Sequence, residues 1–345
     1  MSLTVLSVAY PFAPVSTDAV GGAEQVLARL DAALVAGGHR SIVVAASGSR
    51  VAGELVPTAP PPAPFDTQQQ RTWDAHRAAV EQVLASQHVD VVHMHGVDFA
   101  AYLPAPGRTP ILVTLHLPPS WYPQEIFASP RPDVHLQCVS HTQQRACPPG
   151  ARLLPAIPNG VPVNALQSRC GKRNFAFALG RICPEKNLHE ALDAGLTAGV
   201  PVVLAGQVFP YAEHQAYFQE RIVPRLGRGR CFIGPIGFAR KRRLLTAARC
   251  VLVPTLAPET SSLVAMEALA CGTPVVAFAS GALPEIVRHG ETGFLVHDVA
   301  GMAAAIRSCG RIMPAYCRAV ARERFSLERM TAEYFDAYHR LARGG

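Results

Sequence analysis

The sequence predicts an α/β protein of two doubly wound, Rossmann-like domains facing across a cleft. Three observations predict it. Short apolar runs of strand length alternate with helix-length segments along the 345 residues, the pattern of parallel sheets covered by helices. The alternation occurs twice, with a break near residue 163, and the length suits two domains of ordinary size. The clearest unit runs from Cys250-Val-Leu-Val253 through a loop and Leu263–Ala270 to Val275-Val-Ala-Phe278. That strand–loop–helix–strand order calls for a parallel sheet. The domains are expected at 1–163 plus the C-terminal helix 326–345, and at 164–325.

Composition narrows the function classes. An apolar share of 49% with 17% charged residues belongs to a packed globular chain. There is no run of 18 apolar residues, so no transmembrane segment is expected, although peripheral membrane contact stays open. Met1–Tyr10 lacks a basic region and a cleavage site and reads as a first strand, which points to a cytoplasmic protein. Nine scattered cysteines without a C-x-x-C read as reduced core residues, with neither disulfides nor zinc. Residues 1–163 carry nine Lys+Arg against eleven Asp+Glu, net −2, and the remainder 23 against 14, net +9. A basic second half fits an anionic ligand held there. The run Arg240-Lys-Arg-Arg243 has no interleaved aromatics, which disfavours nucleic acid as a partner.

Taken in order, residues 3–9 form the first strand. Gly21-Gly22-Ala23-Glu24-Gln25 leads into a helix through Leu27, Leu30 and Leu34, closed by Gly37-Gly38-His39, and Ser41–Ala46 is the second strand. No G-x-G-x-x-G stands in the first turn, which disfavours a nicotinamide-binding domain. Residues 57–64 are Pro-rich and read as a surface polyproline segment. Gln68–Gln87 is a helix carrying Trp73, which could offer a stacking face to an acceptor ring or simply be buried. Strands at Asp90–Gly96, Ile111–His116 and Leu136–Ser140 end in polar tips. Ligands bind at such C-terminal strand ends, so His95 and Ser140 are weak acceptor-site candidates. A hydrogen-bonded structural histidine is the competing reading of His95. The second domain begins with a strand at Phe175–Gly180 and continues with strands at Val202–Gly206 and Cys231–Ile236 and a short helix at Leu244–Arg249. The last helix, Leu327–Leu341, is amphipathic.

The chemistry lies around Glu259 and Glu267, which have seven residues between them. Thr260, Ser261 and Ser262 offer an N-cap to the helix beginning at Leu263. The N–H groups of Ser262 and Leu263, with the helix dipole, suit a diphosphate. Eight helical steps rise roughly 12 Å, about the length of a nucleotide-sugar from ribose to hexose. Upstream, Gly180-Arg181-Ile-Cys-Pro-Glu-Lys186-Asn187 places two cations directly after a strand and a glycine. Two fixed cations there can neutralise a diphosphate and the charge that develops as it leaves.

These motifs resemble the E-x7-E signature and the G-R-x-x-x-x-K-N pattern of the family four retaining glycosyltransferases of the GT-B fold. Ser261-Ser262 stand where that family usually has Phe-Gly. Ile157-Pro-Asn-Gly-Val161 resembles its inter-domain segment, with Pro162 in place of the customary Asp. Gly281-Ala-Leu-Pro-Glu285 and Gly290–Val296 resemble its tail pattern. The resemblance extends over nearly the whole chain.

The resemblance implies a glycosyltransferase whose second domain holds a nucleotide-sugar and whose first holds the acceptor. It implies catalytic roles for Arg181, Lys186 and Glu259 and for His116 near the hexose. It implies donor contacts at Gly21, Gly22, Gly180, Gly206, Gly234, Ile236, Thr260, Ser261, Ser262 and Leu263, with Glu267 on the ribose. It also implies retention of anomeric configuration, no metal, no cofactor beyond the nucleotide-sugar, and a last helix that returns to the first domain. A uridine donor is expected on family frequency, and the acceptor is expected to be a small molecule or a carrier-linked sugar. The alternatives are a nucleotide-sugar epimerase of the same fold and a non-catalytic nucleotide-sugar-binding subunit.

Overall fold

The computed structural model describes residues 2–59, 69–128 and 131–344. Residues 60–64 of the Pro-rich segment and Gln68 lie outside the described residues. The chain forms two units, Met1–Asn159 with Met330–Gly345, and Gly160–Arg329.

The first unit contains β1 (Thr4–Val8), α1 (Gly22–Ala36), β2 (Arg40–Ala46), β3 (Glu54–Thr58), α2 (Gln69–Ser86), β4 (Val91–Met94), β5 (Ile111–Leu115), β6 (Val134–Cys138), α3 (His141–Arg145) and β7 (Leu153–Leu154). Among the described residues its sheet has the order β3-β2-β1-β4-β5-β6-β7, every pairing parallel. Strands covered on both faces must be apolar throughout, and β4 and β5 are buried at every position. Pro57 and Thr58 lie in β3 and not in a polyproline segment. β3 is an edge strand, where a missing N–H does no damage.

The second unit contains α4 (Val163–Leu166), β8 (Ala176–Leu179), α5 (Leu188–Ala198), β9 (Val202–Ala205), α6 (Ala212–Tyr217), β10 (Arg230–Phe232), α7 (Phe238–Ala247), β11 (Cys250–Val253), α8 (Leu263–Ala270), β12 (Val275–Phe278), α9 (Leu283–Ile286), β13 (Gly293–Val296), α10 (Val299–Ser308) and α11 (Pro314–Arg324); α12 (Leu327–Gly344) begins in it and belongs to the first unit from Met330 on. Its sheet is parallel, in the order β10-β9-β8-β11-β12-β13. α7 starts six residues earlier than the short helix expected at Leu244 and so includes the basic run. Gly272, at φ 74°, ends α8 with Thr273 N–H donating to the Ala268 carbonyl at 2.9 Å, the left-handed glycine stop read from the sequence.

α12 joins the first unit through buried polar groups. Met330, Tyr334, Ala337 and Tyr338 form its inward stripe, spaced three and four residues apart. Tyr338 Oη lies 2.7 Å from His93 Nδ1, and His93 Nε2 lies 2.7 Å from Thr114 Oγ1. Thr114 donates its hydroxyl to Gln137 Oε1 at 3.2 Å. With that proton committed, Thr114 accepts from His93 Nε2–H, and His93 Nδ1 accepts from Tyr338. Burial first, then the nearby His116, holds His93 well below its usual pKa, so the chain of donors rests on a neutral ring. Tyr338→Phe removes one donor and should cost about 1–3 kcal/mol. The measurement is the urea midpoint at unchanged denaturant slope, and an unchanged midpoint would dismiss the network as a stabilising element.

His76 on α2 is wholly buried between Thr58 Oγ1 at 3.1 Å and the Ala9 carbonyl at 3.0 Å. Burial lowers its pKa from 6.5 to about 4. In acid the unfolded chain therefore takes up this proton first, so stability is complete above about pH 6.5 and falls as pH drops toward 4. The contribution is on the order of 3 kcal/mol. A His76→Gln variant should show a flatter stability–pH slope in that window, measured by urea unfolding at a series of pH values. An unaltered slope would assign the acid sensitivity to other groups.

Candidate functional site

β8 and β11 are neighbours in the second sheet, but their chains continue in opposite directions, to β9 and to β12. The C-terminal ends of such a strand pair leave a crevice. Residues 180–187 follow β8 and residues 254–262 follow β11, so the topology brings together two segments some 70 residues apart. Leu256 N–H and Thr255 Oγ1–H both donate to the Glu185 carbonyl, at 2.9 and 3.1 Å. Asn187, left-handed at φ 53° and 1% exposed, donates from Nδ2 to the Pro254 carbonyl at 3.1 Å. Lys186 Nζ donates to Glu259 Oε1 at 2.5 Å. Arg181 is exposed beside them; its carbonyl accepts from the Cys183 thiol at 3.7 Å, and its side chain makes no hydrogen bond or ion pair among the described residues.

Glu259 is positioned by backbone packing and not by the helix. α8 begins only at Leu263, so four of the eight steps to Glu267 are helical and the 12 Å helical rise does not apply. Instead Gly281, at φ 56°, lies against the Glu259 backbone, where an added Cβ would sit 2.2 Å from its carbonyl oxygen. Ala282 N–H donates to that oxygen at 2.7 Å, and Ser280 Oγ donates to the Ala257 carbonyl at 3.1 Å. Gly281 was noted in the sequence only as part of a tail pattern.

The start of α8 also differs from expectation. Ser262 holds the N-cap position without a side-chain cap hydrogen bond, and Ser261 Oγ is buried without a partner. Thr260 and Leu263 lie partly exposed on either side. Neither serine side chain therefore caps the first turn. Further along the helix, Glu267 is 1% exposed and its Oε1 accepts from Lys241 Nζ of α7 at 2.7 Å. Lys241 was missed. Its only signal was membership of the basic run, where it is the inward-facing residue. The neighbouring Arg242 donates to the Ala165 carbonyl at 3.2 Å.

Three glycines line the edge beside this pair of loops. Gly180 N–H donates to Ala205, and Gly206 N–H to Gly234, at 3.2 and 3.0 Å. A Cβ on Gly206 would stand 1.8 Å from the Gly180 carbonyl oxygen, so the two backbones approach as only glycine permits. Gly234 has open space around it and is required by its φ of 69°. Ile236 is half-buried against the apolar core.

In the first unit, Gly21 caps α1 with ordinary extended backbone and the Glu24 carboxylate folds over it, 1.8 Å from where a Cβ would sit. Gly22 begins the helix. The acidic group lies at the helix start, where the resemblance implies a donor contact. His95 and His116, at the tips of β4 and β5, are bonded through Nδ1 and Nε2 at 3.0 Å with rings stacked at 5.3 Å. Burial lowers both pKa values, His116 to about 4. His95 Nε2 is buried without a partner. A bare lone pair is tolerated there better than an orphan N–H. The accounting therefore gives His95 the Nδ1–H, which it donates to His116, and leaves His116 protonated on Nδ1. Tyr122 Oη accepts from the backbone N–H groups of His116 and Leu117 and holds this tip.

Two acceptor candidates prove structural. Ser140 is buried and caps α3, accepting from Gln143 N–H at 3.1 Å. Trp73 is partly buried in the apolar core and donates its indole N–H to Asp98, so it is not an open stacking face. All nine cysteines are unpaired, but Cys170 and Cys231 are exposed and Cys147 is half-buried, so only six are core residues. A cleft of about 420 Å³ lined by Cys170, Arg173, Phe175, Arg243 and Leu244 lies at the other end of β8 and contains no candidate residue. No helix among the described residues is long and apolar enough to cross a membrane.

Comparison with known proteins bears on the same segments. The profile of the glycosyl transferases group 1 matches residues 174–310, which include Arg181, Lys186, Glu259 and Glu267. The profile of Glycosyltransferase Family 4 matches residues 20–164. In each of these two segments the chain is similar to family 4 glycosyltransferases. D-inositol 3-phosphate glycosyltransferases of Mycobacterium bovis (strain BCG / Pasteur 1173P2) and Mycobacterium tuberculosis (strain ATCC 25618 / H37Rv) are each 37% identical to it over 207 residues, covering 56% of this chain and 41% of theirs. The chain thus spans about two-fifths of the length of these curated relatives. Among solved structures, AviGT4, a glycosyltransferase involved in avilamycin A biosynthesis, matches with TM-score 0.75 at 24% identity over 99% of each chain. Anabaena HepE in complex with UDP-glucose matches with TM-score 0.76 at 20% identity over 97% of this chain and 100% of that one. Sucrose-phosphate synthase from Thermosynechococcus elongatus matches with TM-score 0.78 at 19% identity over 99% and 100%. The chain therefore has two parallel-sheet α/β units, in the fold class of the GT-B glycosyltransferases it matches.

The ion pairs that Glu259 and Glu267 make differ in burial. Lys241 and Glu267 have side chains 11% and 1% exposed, and Lys186 and Glu259 29% and 10%. Lys241→Met strips a buried carboxylate of this cation and should cost about 3–5 kcal/mol. Lys186→Met should cost markedly less, because solvent screens the better exposed pair. Parallel urea titrations compare them, and equal losses would show that burial does not separate the two pairs.

Proposed function

We propose that this chain transfers a glycosyl group from a nucleotide-sugar to an acceptor, with retention of configuration and without a metal at the diphosphate. The observation that carries the reading is the meeting of Lys186 with Glu259 at the strand crossover, 2.5 Å apart, with Arg181 exposed beside them. In this reading Arg181 and Lys186 hold the diphosphate, together with the N–H groups at the start of α8. Glu267 takes the ribose hydroxyls and Glu259 the hexose, with Gly180, Gly206 and Gly234 admitting the nucleotide against bare backbone.

The bond between the anomeric carbon and the diphosphate oxygen breaks, and the acceptor oxygen bonds the same carbon from the same face. The acceptor proton passes to the departing diphosphate. The charge that accumulates on that diphosphate is what the two cations stabilise. A uridine nucleotide is the favoured donor. Its support is the binding of UDP-glucose by a protein of the same fold. A small or carrier-linked acceptor is favoured, supported by relatives named for inositol 3-phosphate. Because Glu267 is also a structural partner of Lys241, Glu267→Gln should lower stability as well as nucleotide affinity.

The deciding experiment is a thermal-shift screen of UDP, GDP, ADP and dTDP with their sugars, followed by transfer assays on the pair that stabilises the protein. NMR of the product reads the anomeric configuration. Reaction without an acceptor, returning an epimerised donor, would replace the transferase reading with an epimerase. Arg181→Ala and Lys186→Ala should each lower turnover by roughly 100- to 1000-fold, equivalent to about 2.7–4 kcal/mol in the transition state. Added Mg2+ or Mn2+ should leave the rate unchanged. Turnover within a few-fold of the unaltered protein for both variants would refute the assignment.

A further inference from the structure

The loop that carries Arg181 and Lys186 also carries Cys183 and Glu185, and α6 brings His214 against it. One sulfur, one carboxylate oxygen and one ring nitrogen lie within 4.8 Å of one another. Cys183 is 1% exposed and His214 9%. Cys183 precedes the single turn Pro184–Lys186, and the proline at its start restricts the backbone that presents the thiol and the carboxylate. His214 is held by edge-to-face contacts with Tyr211 at 5.1 Å and Phe209 at 6.3 Å. Its Nδ1 is nevertheless buried with no hydrogen-bond partner. A buried polar atom left in that state calls for an occupant.

The donor set says which occupant. A thiolate, an imidazole and a carboxylate suit zinc and similar borderline divalent ions, whereas magnesium and calcium require all-oxygen sites. Three protein ligands with water in the fourth position form a tetrahedral centre. Metal–ligand lengths of about 2.0–2.3 Å place ligand atoms about 3.3–3.8 Å apart, so the three groups need to draw in by about an ångström. Burial and the Glu185 carboxylate push the Cys183 thiol up to about 11. Binding would release that proton and leave a centre of +2 −1 −1, which is neutral and tolerable where solvent is scarce.

We propose that Cys183, Glu185 and His214 bind one zinc-class divalent cation, which staples α6 to the loop 180–187. The site uses neither the Arg181 nor the Lys186 side chain, although the Arg181 charge acts on both Cys183 and Glu185. The cation sits behind the loop as a structural tie and takes no part in sugar transfer.

The test uses the full chain with the exposed Cys170 and Cys231 replaced by serine, reduced, stripped with a chelator and titrated by calorimetry. One equivalent of zinc should bind with proton release, and the melting temperature should rise with free zinc but not with magnesium. Co2+ should bind with a thiolate charge-transfer band. Cys183→Ser should abolish the band, and His214→Gln should weaken binding by about 100-fold or more, since even outer-shell partners of a metal matter 10- to 100-fold. Glu185→Gln replaces only a half-exposed group, so it reports on the site even where the buried variants unfold, and it should weaken binding at least tenfold. Zinc binding unaltered by Glu185→Gln, a cobalt complex without a thiolate band, or no stoichiometric binding would each overturn the proposal.

Discussion

The candidate site depends on one topological constraint, the crossover between β8 and β11. A parallel sheet whose connections leave to both sides must open between the two central strands. Loops 180–187 and 254–262 are the two that end there. Everything else at the site secures their approach: the Glu185 carbonyl receives two donors from the second loop, and Asn187 adopts a left-handed conformation to reach Pro254. The Lys186–Glu259 pair then joins two side chains that the backbone has already brought together.

Electrostatics divides the two glutamates. Glu259 sits on a loop pinned by the close approach of Gly281, in the better exposed of the two pairs. Glu267 lies deep in α8 and shares its charge with Lys241. A buried carboxylate and ammonium are costly to desolvate and tolerable only together, so the second pair is part of the architecture. The net +9 of the second half is therefore partly structural: Lys241 is neutralised internally, while Arg181 remains displayed to solvent.

Much of this was legible in the residues. Strand and helix alternation identifies the fold class because apolar periodicity is a local property, and each of β1, β2, β4, β5, β8, β9, β11 and β12 coincides with an apolar run. β3 was not legible, since Pro57 and the following prolines mask an edge strand whose pairing is decided by β2. Ser140 as an α3 cap, and the choice between the two readings of Trp73, were not legible for a related reason. A residue at a strand tip or on a helix face has the same sequence signature whether its polar atom meets a ligand, an N–H of its own helix, or the carboxylate of Asp98.

Sequence alone determined the two parallel α/β units, the family the chain resembles, and the residue types present at the strand ends, because each is written in local periodicity and short motifs. Tertiary structure alone decided how those residues are used. Lys241 finds Glu267, Gly281 pins Glu259, His95 sets the tautomer of His116, and His214 reaches Cys183 and Glu185 across some thirty residues. Each of these depends on which loops the sheet order brings side by side. Strand order is a global outcome of packing and crossover handedness, which no local pattern of residues encodes.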